Sequence, residues 1–242
     1  MNDSPASPAT PPRAVILCGG KGTRLRPYTT VLPKPLVPIG DRPILEVVLE
    51  ALRSAGFTNV TLCVGHLAEL IRAFFGDGSK FGLKIDYAIE DKPLGTIGPL
   101  AFVENLGEEF LVMNGDVLTD LDLRTFFLKH LRGGADLTVA TYLRRVKMDF
   151  GVLSAYPHSD SVQGFSEKPT HEYEVSMGVY AMNRRVLGHF APGEAFGFDD
   201  LVLTLLGKNR PVRRVLHTGH WLDIGRVEDY EAAQNDPRWG TP

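Results

Sequence analysis

The chain has 242 residues, 43% of them hydrophobic, enough for one sizeable core, and no linker-like stretch divides it. Its 26 Lys and Arg stand against 29 Asp and Glu, and the net charge of −3 excludes a broad nucleic-acid surface, so basic residues must act locally. No apolar run approaches the ~18 residues of a spanning helix, so no membrane partner is expected.

The opening MNDSPASPATPPR carries an acidic residue and no apolar centre, unlike a signal peptide, and residues 1–12 read as a disordered tail. Arg13–Cys18, apolar from Ala14 onward, predicts a strand buried on both faces. Gly19, Gly20 and Gly22 follow at once; without Cβ they let backbone N–H groups close on a ligand. Thr23, Arg24 and Arg26 add a hydroxyl and two guanidiniums, whose fork matches phosphate oxygens. Pro33 and Pro35 flank Lys34 and predict an extended, stiff arm for it. The expected ligand is a polyanion such as a nucleoside triphosphate. Lys21 and Arg26 are weaker candidates, open to being solvated surface charges. The spacing GxxxxGK[ST] of a P-loop does not occur, and the run from Gly20 to Leu25 lacks the last glycine of GxGxxG.

Further along, strand-like and helix-like runs alternate. A helix is predicted over Ile44–Ala55, a strand over Val60–Val64 and a helix over Leu67–Phe75. Leu83–Ile89 is a strand, Ile97–Leu106 a helix, Phe110–Met113 a strand and Leu123–Leu131 a helix. This rhythm implies βαβ units in an α/β fold, a Rossmann-like, mostly parallel central sheet with ligand loops at the carboxyl ends of its strands. After Asp136 longer strands are predicted over Leu137–Leu143, Gly151–Tyr156, Val162–Glu167 and Val175–Met182, a smaller mixed sheet over the second substrate. A helix over Val227–Gln234 closes a single domain, 13–235, whose halves 13–135 and 136–235 serve mainly nucleotide and mainly second substrate. Residues 236–242 read as a loose tail. Cys18 and Cys63 lie in apolar runs without metal-ligand spacing, which suits a reduced, cytoplasmic protein. His66, His217 and His220 fit loops or strand ends, with His220 close in sequence to Asp223.

Asp116 follows the buried run Leu111-Val112-Met113 through Asn114 and Gly115, at a strand's carboxyl end. It serves either as a ligand for a hard cation or as a turn residue. Asp223, in Trp221-Leu222-Asp223-Ile224-Gly225, either does the same or caps the final helix. Asp120 and Asp122 suit a turn and an N-cap.

The stretch GGKGTRLRPYTTVLPKPLVPI resembles the signature of the sugar-1-phosphate nucleotidylyltransferases, or nucleotide-sugar pyrophosphorylases, whose pattern runs GGxGTRLxPxTxxxPKPLxPI. PLGTIGPL from Pro93, MNGD from Met113, FSEKP from Phe165, MGVY from Met177 and WLDIG from Trp221 continue the match in the family's order.

The resemblance implies a glycosyltransferase-A-like nucleotidyltransferase fold and Mg²⁺-dependent transfer of a nucleotidyl group from an NTP to a sugar 1-phosphate. It implies catalytic roles for Arg24, Lys34, Asp116 and Asp223, the two aspartates as metal ligands. Nucleotide contacts fall to Leu17, Gly19, Gly20, Gly22, Thr23, Arg24, Glu90, Pro93, Gly95, Thr96 and Asp116, Gly95 as a close approach to the base. Glu90 either accepts a bond from the base or ends its strand. Sugar-phosphate contacts fall to Asn114, Gly151, Glu167, Lys168, Ser176 and Gly178, the two glycines leaving room for the sugar or forming bulges. Cys18 replaces the family's usual alanine and puts a thiol beside the nucleotide loop, and Ser176 replaces its frequent asparagine with a shorter hydroxyl that changes the reach to the sugar. No hexapeptide-repeat extension follows WLDIG, so no appended acyltransferase is expected.

The short form is most like mannose-1-phosphate or heptose-1-phosphate guanylyltransferases. UTP or dTTP enzymes acting on glucose 1-phosphate, transfer to a cyclitol or choline phosphate, and a non-catalytic nucleotide-sugar sensor are the competing readings. A homo-oligomer is left open.

Overall fold

The computed structural model describes residues 12–20 and 22–239. The expected tail, apart from Pro12, and Lys21 lie outside the described residues. In chain order, β1 is Arg13–Leu17, β2 Pro38–Ile39 and β3 Arg42–Pro43, followed by α1 over Ile44–Ser54. Then come β4 (Asn59–Val64), α2 (Ala68–Phe75), β5 (Lys84–Ile89), β6 (Glu109–Asn114), β7 (Val117–Thr119) and α3 (Leu123–Gly133). The second half holds β8 (Leu137–Lys147), β9 (Val152–Ala155), β10 (Val162–Ser166), β11 (Thr170–Asn183), α4 (Phe198–Gly207), β12 (Val212–His217), β13 (Trp221–Asp223) and α5 (Val227–Gln234).

Seven strands form one sheet in the order β12-β8-β11-β6-β1-β4-β5. Every neighbouring pair is parallel except the two that β11 makes, so β11 alone runs against the rest. Residues alternate between faces along each strand. Ala14 and Ile16 of β1 pack with Leu49, Ile71 and Phe126 of α1, α2 and α3, while Val15 packs with Leu201 and Leu205 of α4 on the opposite face. A strand with both faces covered has no polar side to show, which is why β1 reads as an unbroken apolar run.

Helix ends follow local chemistry. Asp122 caps α3 by accepting from Thr125 N at 2.8 Å, and Gly134 at φ 60 closes it; such a cap contributes about 1 kcal/mol.

Four expectations need correcting. The helix predicted over Ile97–Leu106 is only a 3₁₀ turn, Gly98–Phe102. Ile97 N and Gly98 N both donate to Phe196 O, at 3.0 and 3.1 Å, and Asn105 at φ 55 breaks any continuation. The smaller mixed sheet is a two-stranded antiparallel pairing of β9 with β10, because β8 and β11 join the central sheet through their buried halves. The tail is not loose from Asp236: Trp239 is 7% exposed and packs into the core. Finally, α4 and β12 occupy a stretch for which the sequence predicts no element.

Candidate active site

A cavity of about 480 Å³ opens at the carboxyl ends of β1, β5 and β6, where a parallel sheet presents its loops. Leu17, Gly19, Gly20, Gly22, Thr23 and Arg24 line one side, Glu90, Pro93, Gly95 and Thr96 another, and Lys34, Asn114 and Asp116 the floor. Packing dictates some of the glycines. A Cβ on Gly19 would sit 2.4 Å from Glu90 Oε1, and one on Gly115 2.7 Å from Cys18 Sγ. Gly22 at φ 61 accepts from Thr29 Oγ1 at 2.7 Å and presses against Lys34. Gly95 at φ 76 is held by Phe196 O, 2.7 Å from its Cβ position, so the fold itself requires that glycine, whatever approaches from the cavity. Gly20 differs: nothing lies within 4 Å of its Cβ position, so its bare backbone faces open space.

The floor is ionic. Lys34 is 8% exposed and opens a 3₁₀ turn, Lys34–Leu36, in place of the predicted extended arm; Leu36 N to Pro33 O and Val37 N to Lys34 O close that turn. Lys34 Nζ pairs with the Asp116 carboxylate. The second aspartate arrives by a β-ribbon: β13 pairs antiparallel with β7, Asp223 opposite Val117, and Ile224 N donates to Asp116 O at 2.9 Å. Asp223 does not cap α5, whose N-cap is Arg226; its Oδ1 accepts from Gly225 N at 2.9 Å. A Cβ on Gly225 would lie 2.8 Å from Arg24 Nη2 and 2.9 Å from both Asp223 Oδ1 and Lys34 Nζ. Two cations and a carboxylate thus crowd the one point that Gly225 leaves vacant, and the Lys34 ammonium there is the one paired with Asp116.

Magnesium commonly takes one or two carboxylates and completes its shell with water and substrate phosphates. Asp116 and Asp223 would supply that donor set, and Gly225 keeps the point beside Asp223 Oδ1 free of a side chain. Among the described residues no three His, Cys, Asp or Glu side chains gather as a metal cage, so phosphate oxygens would have to complete such a site.

The residues expected to hold the sugar phosphate are scattered. Asn114 lines the cavity, and Gly178 lies beside it, φ 74, its Cβ position 2.6 Å from Asn114 Nδ2, within a register irregularity of β11. A Cβ on Gly151 would meet the Phe165 ring at 2.5 Å and Glu167 Oε2 at 3.2 Å, so at both glycines packing disfavours a side chain. Glu167 and Lys168 are exposed beside β10 and do not line the cavity, and Lys168 takes φ 45, not the extended conformation that Pro169 predicts. Ser176 is exposed, its hydroxyl shared between Tyr180 OH at 3.2 Å and Gly178 N at 3.3 Å. His220 donates its backbone N–H to Asp120, which also binds His217 Nε2 at 2.8 Å; its own backbone is tied into the ribbon and not to the metal-side carboxylates.

Burial raises the Glu90 carboxyl above its ordinary range, partly offset by the Leu94 N–H that it accepts at 3.3 Å. Burial, then Cys63 and Asp116, raise the Cys18 thiol well above normal. Cys18 lines the cavity yet is only 5% exposed, and a buried protonated thiol is a poor nucleophile. Iodoacetamide at neutral pH is therefore expected to label neither cysteine in the folded protein, with or without nucleotide, and both after denaturation, as mass spectrometry would read; fast labelling of folded Cys18 would contradict its burial. Gly225, Gly115, Leu94 and Pro99 also belong to the cavity and were not singled out from sequence. Gly225 had a signal, since it ends WLDIG, two residues from an aspartate already under suspicion.

The nucleotidyl transferase family model matches residues 13–238. UTP--glucose-1-phosphate uridylyltransferase of Synechocystis sp. is 34% identical over 238 residues, covering 90% of this chain and 61% of that protein. D-glycero-alpha-D-manno-heptose 1-phosphate guanylyltransferase of Aneurinibacillus thermoaerophilus is 33% identical over 226 residues, covering 92% of this chain and 97% of that one. HddC from Yersinia pseudotuberculosis, solved in complex with GMP-PN, superposes with a TM-score of 0.70 at 27% identity, over 92% of this chain and 97% of that one. The chain spans about three fifths of the first curated relatives it matches, 61–62% of their length. No helix among the described residues is long and apolar enough to cross a membrane. A family match running from β1 to beyond α5, joined to one-third identity with a relative covered almost end to end, makes this chain a member of the nucleotidyl transferase family.

Proposed function

We propose that the chain transfers a nucleotidyl group from an NTP to a sugar 1-phosphate. A phosphate oxygen of the sugar 1-phosphate forms a bond to the α-phosphorus as the bond from that phosphorus to the bridging oxygen breaks, giving a nucleoside-diphosphate sugar and pyrophosphate. The observation that carries this reading is the convergence of Arg24, Lys34 and Asp223 on the space above Gly225, with Asp116 bound to Lys34. Reactions of this kind need positioning and charge neutralisation more than covalent chemistry. Arg24 then grips the terminal phosphates, Lys34 meets charge developing at the reacting phosphate, and Asp116 and Asp223 hold Mg²⁺. When bound, Mg²⁺ neutralises phosphate oxygens and aligns them. Glu167 and Lys168 are assigned to the sugar phosphate on the FSEKP motif alone.

For the base we favour guanine. Glu90 presents a carboxylate on the cavity wall, packed beside Gly19 of the first loop. Guanine offers N1–H and its 2-amino group as adjacent donors to two carboxylate oxygens, whereas uracil offers one N–H between two carbonyls that a carboxylate repels. Only the ionised form accepts both bonds, so GTP affinity should grow as pH rises through the raised Glu90 pKa. Glu90→Gln is expected to cut the GTP-over-UTP ratio of kcat/KM about 10- to 100-fold; an unchanged ratio would remove Glu90 from base selection.

A mannose- or heptose-like sugar is supported by the kinship with the Aneurinibacillus heptose enzyme, and a UTP and glucose 1-phosphate pairing by that with the Synechocystis enzyme. Pyrophosphate release from four NTPs against a panel of sugar, cyclitol and choline phosphates separates these readings. Nucleotide-sugar binding without pyrophosphate from any pair would overturn catalysis.

A further inference from the structure

Asp223 stands next to Gly225 at the edge of the nucleotide cavity without lining it, and is held by two residues that line no part of it either. Its backbone N–H donates to Asp229 Oδ2 at 3.1 Å. Arg144 closes on the same carboxylate with both ends of its guanidinium, Nη1 to Oδ2 at 3.1 Å and Nη2 to Oδ1 at 3.0 Å. Asp229 is 7% exposed and sits in the first turn of α5, while Arg144 comes from β8 on the other side of the ribbon. The Arg144 guanidinium also lies 5.6 Å above the Trp221 ring, and Trp221 Nε1 donates to Met177 O at 3.0 Å. The short strand that delivers Asp223 is therefore gripped at both of its ends, by stacking at Trp221 and by a hydrogen bond at Asp223.

We propose that Arg144 and Asp229 are positioning residues that hold Asp223 at the distance from Asp116 that a shared divalent cation requires. A bidentate guanidinium–carboxylate pair has one geometry, and it passes that geometry on. The Asp229 oxygen bound to Arg144 Nη1 is the same one that receives the Asp223 N–H, so any shift of the guanidinium moves the backbone from which the Asp223 carboxylate hangs. Without Arg144, the nearly buried Asp229 keeps the Asp223 N–H but loses both charged donors and turns toward solvent. Without the Asp229 charge, Arg144 is free to leave Trp221. Each change removes no contact made by Asp116, Lys34 or Arg24 and acts first on Asp223.

The inference rests on reading Asp223 as a metal-holding carboxylate. Its test is Mn²⁺ binding to the full chain with GTP, and in parallel UTP, but no sugar phosphate. Water-proton relaxation distinguishes protein-bound Mn²⁺–nucleotide from the same complex free in solution, and thermal melting is followed alongside. Arg144→Met and Asp229→Asn are expected to weaken Mn²⁺ binding about 10- to 100-fold, the usual range for residues that orient a metal ligand. Arg144→Lys, which keeps the charge but not the fork, should fall between them and the wild type. Wild-type Mn²⁺ affinity in folded Arg144→Met and Asp229→Asn, with any loss confined to melting temperature, would make the pair a simple tie of α5 to β8 and overturn the proposal. Should those two not fold, Arg144→Lys decides: unchanged affinity overturns the proposal, and weakened affinity at an unchanged melting temperature supports it. Absence of bound Mn²⁺ in the wild type would sink the metal reading of Asp223 as well, and is told apart because the parent protein fails with its variants.

Discussion

Lys34→Met is expected to lower kcat about 10²–10³-fold, the usual loss when one donor to a developing charge is removed from a preorganised site. The lysine cannot be replaced by a neighbour, because it is 8% exposed, fixed by its 3₁₀ turn and aimed at Asp116. The same change should cost about 1–3 kcal/mol of stability, since it strands a carboxylate that is itself mostly buried. The double variant Lys34→Met/Asp116→Asn should regain most of that stability and none of the rate. Steady-state pyrophosphate release and urea unfolding of the single and double variants measure the two effects. A single variant with near-normal kcat would take Lys34 out of the chemistry, and a double variant no more stable than the single would mean that the ion pair is not what the fold misses.

Gly225→Ala should also harm activity but, unlike Lys34→Met, spare the fold. The new methyl group would stand 2.8–2.9 Å from Arg24 Nη2, Asp223 Oδ1 and Lys34 Nζ, closer than real Cβ contacts come. All three are ends of flexible side chains, so they move aside at little cost in stability. Displacing groups that align phosphates by even about 1 Å costs roughly 10²-fold in rate. The expected result is a kcat reduced about 100-fold with a melting temperature within a few degrees of wild type. An alanine variant with normal kcat would mean that this convergence is not the reacting centre.

Much of this architecture is legible in the chain because long stretches carry their own instructions. The apolar run of β1, the glycine loop after it and the alternation through α3 each state a local preference that the fold keeps. What escapes is decided at a distance. The helix expected over Ile97–Leu106 stops at a 3₁₀ turn whose start is docked on Phe196 O, almost a hundred residues later, and whose continuation Asn105 turns away at φ 55. Helix α4 buries chiefly Leu201 and Leu205, and β12 is an edge strand with charged residues in its middle, so neither has a strong pattern until the sheet is there to receive it. Lys34 obeys a turn closed by its neighbours where the rule for residues preceding proline predicts extension. Asp223 was recognisable by motif, but its nearness to Asp116 is a property of the β7–β13 ribbon. Glu167 and Lys168 show the converse, a clear motif whose side chains stand apart from the cavity.

The β7–β13 ribbon also sets an order of events during synthesis. At roughly 5–20 residues per second, the cationic loop and then β7 leave the ribosome seconds before Trp221–Asp223 exists to pair with β7. Until that strand is made, the chain holds Asp116 without Asp223, and the carboxylate pair is incomplete. On the proposed reading the second carboxylate joins the site last, when this short strand zips onto β7.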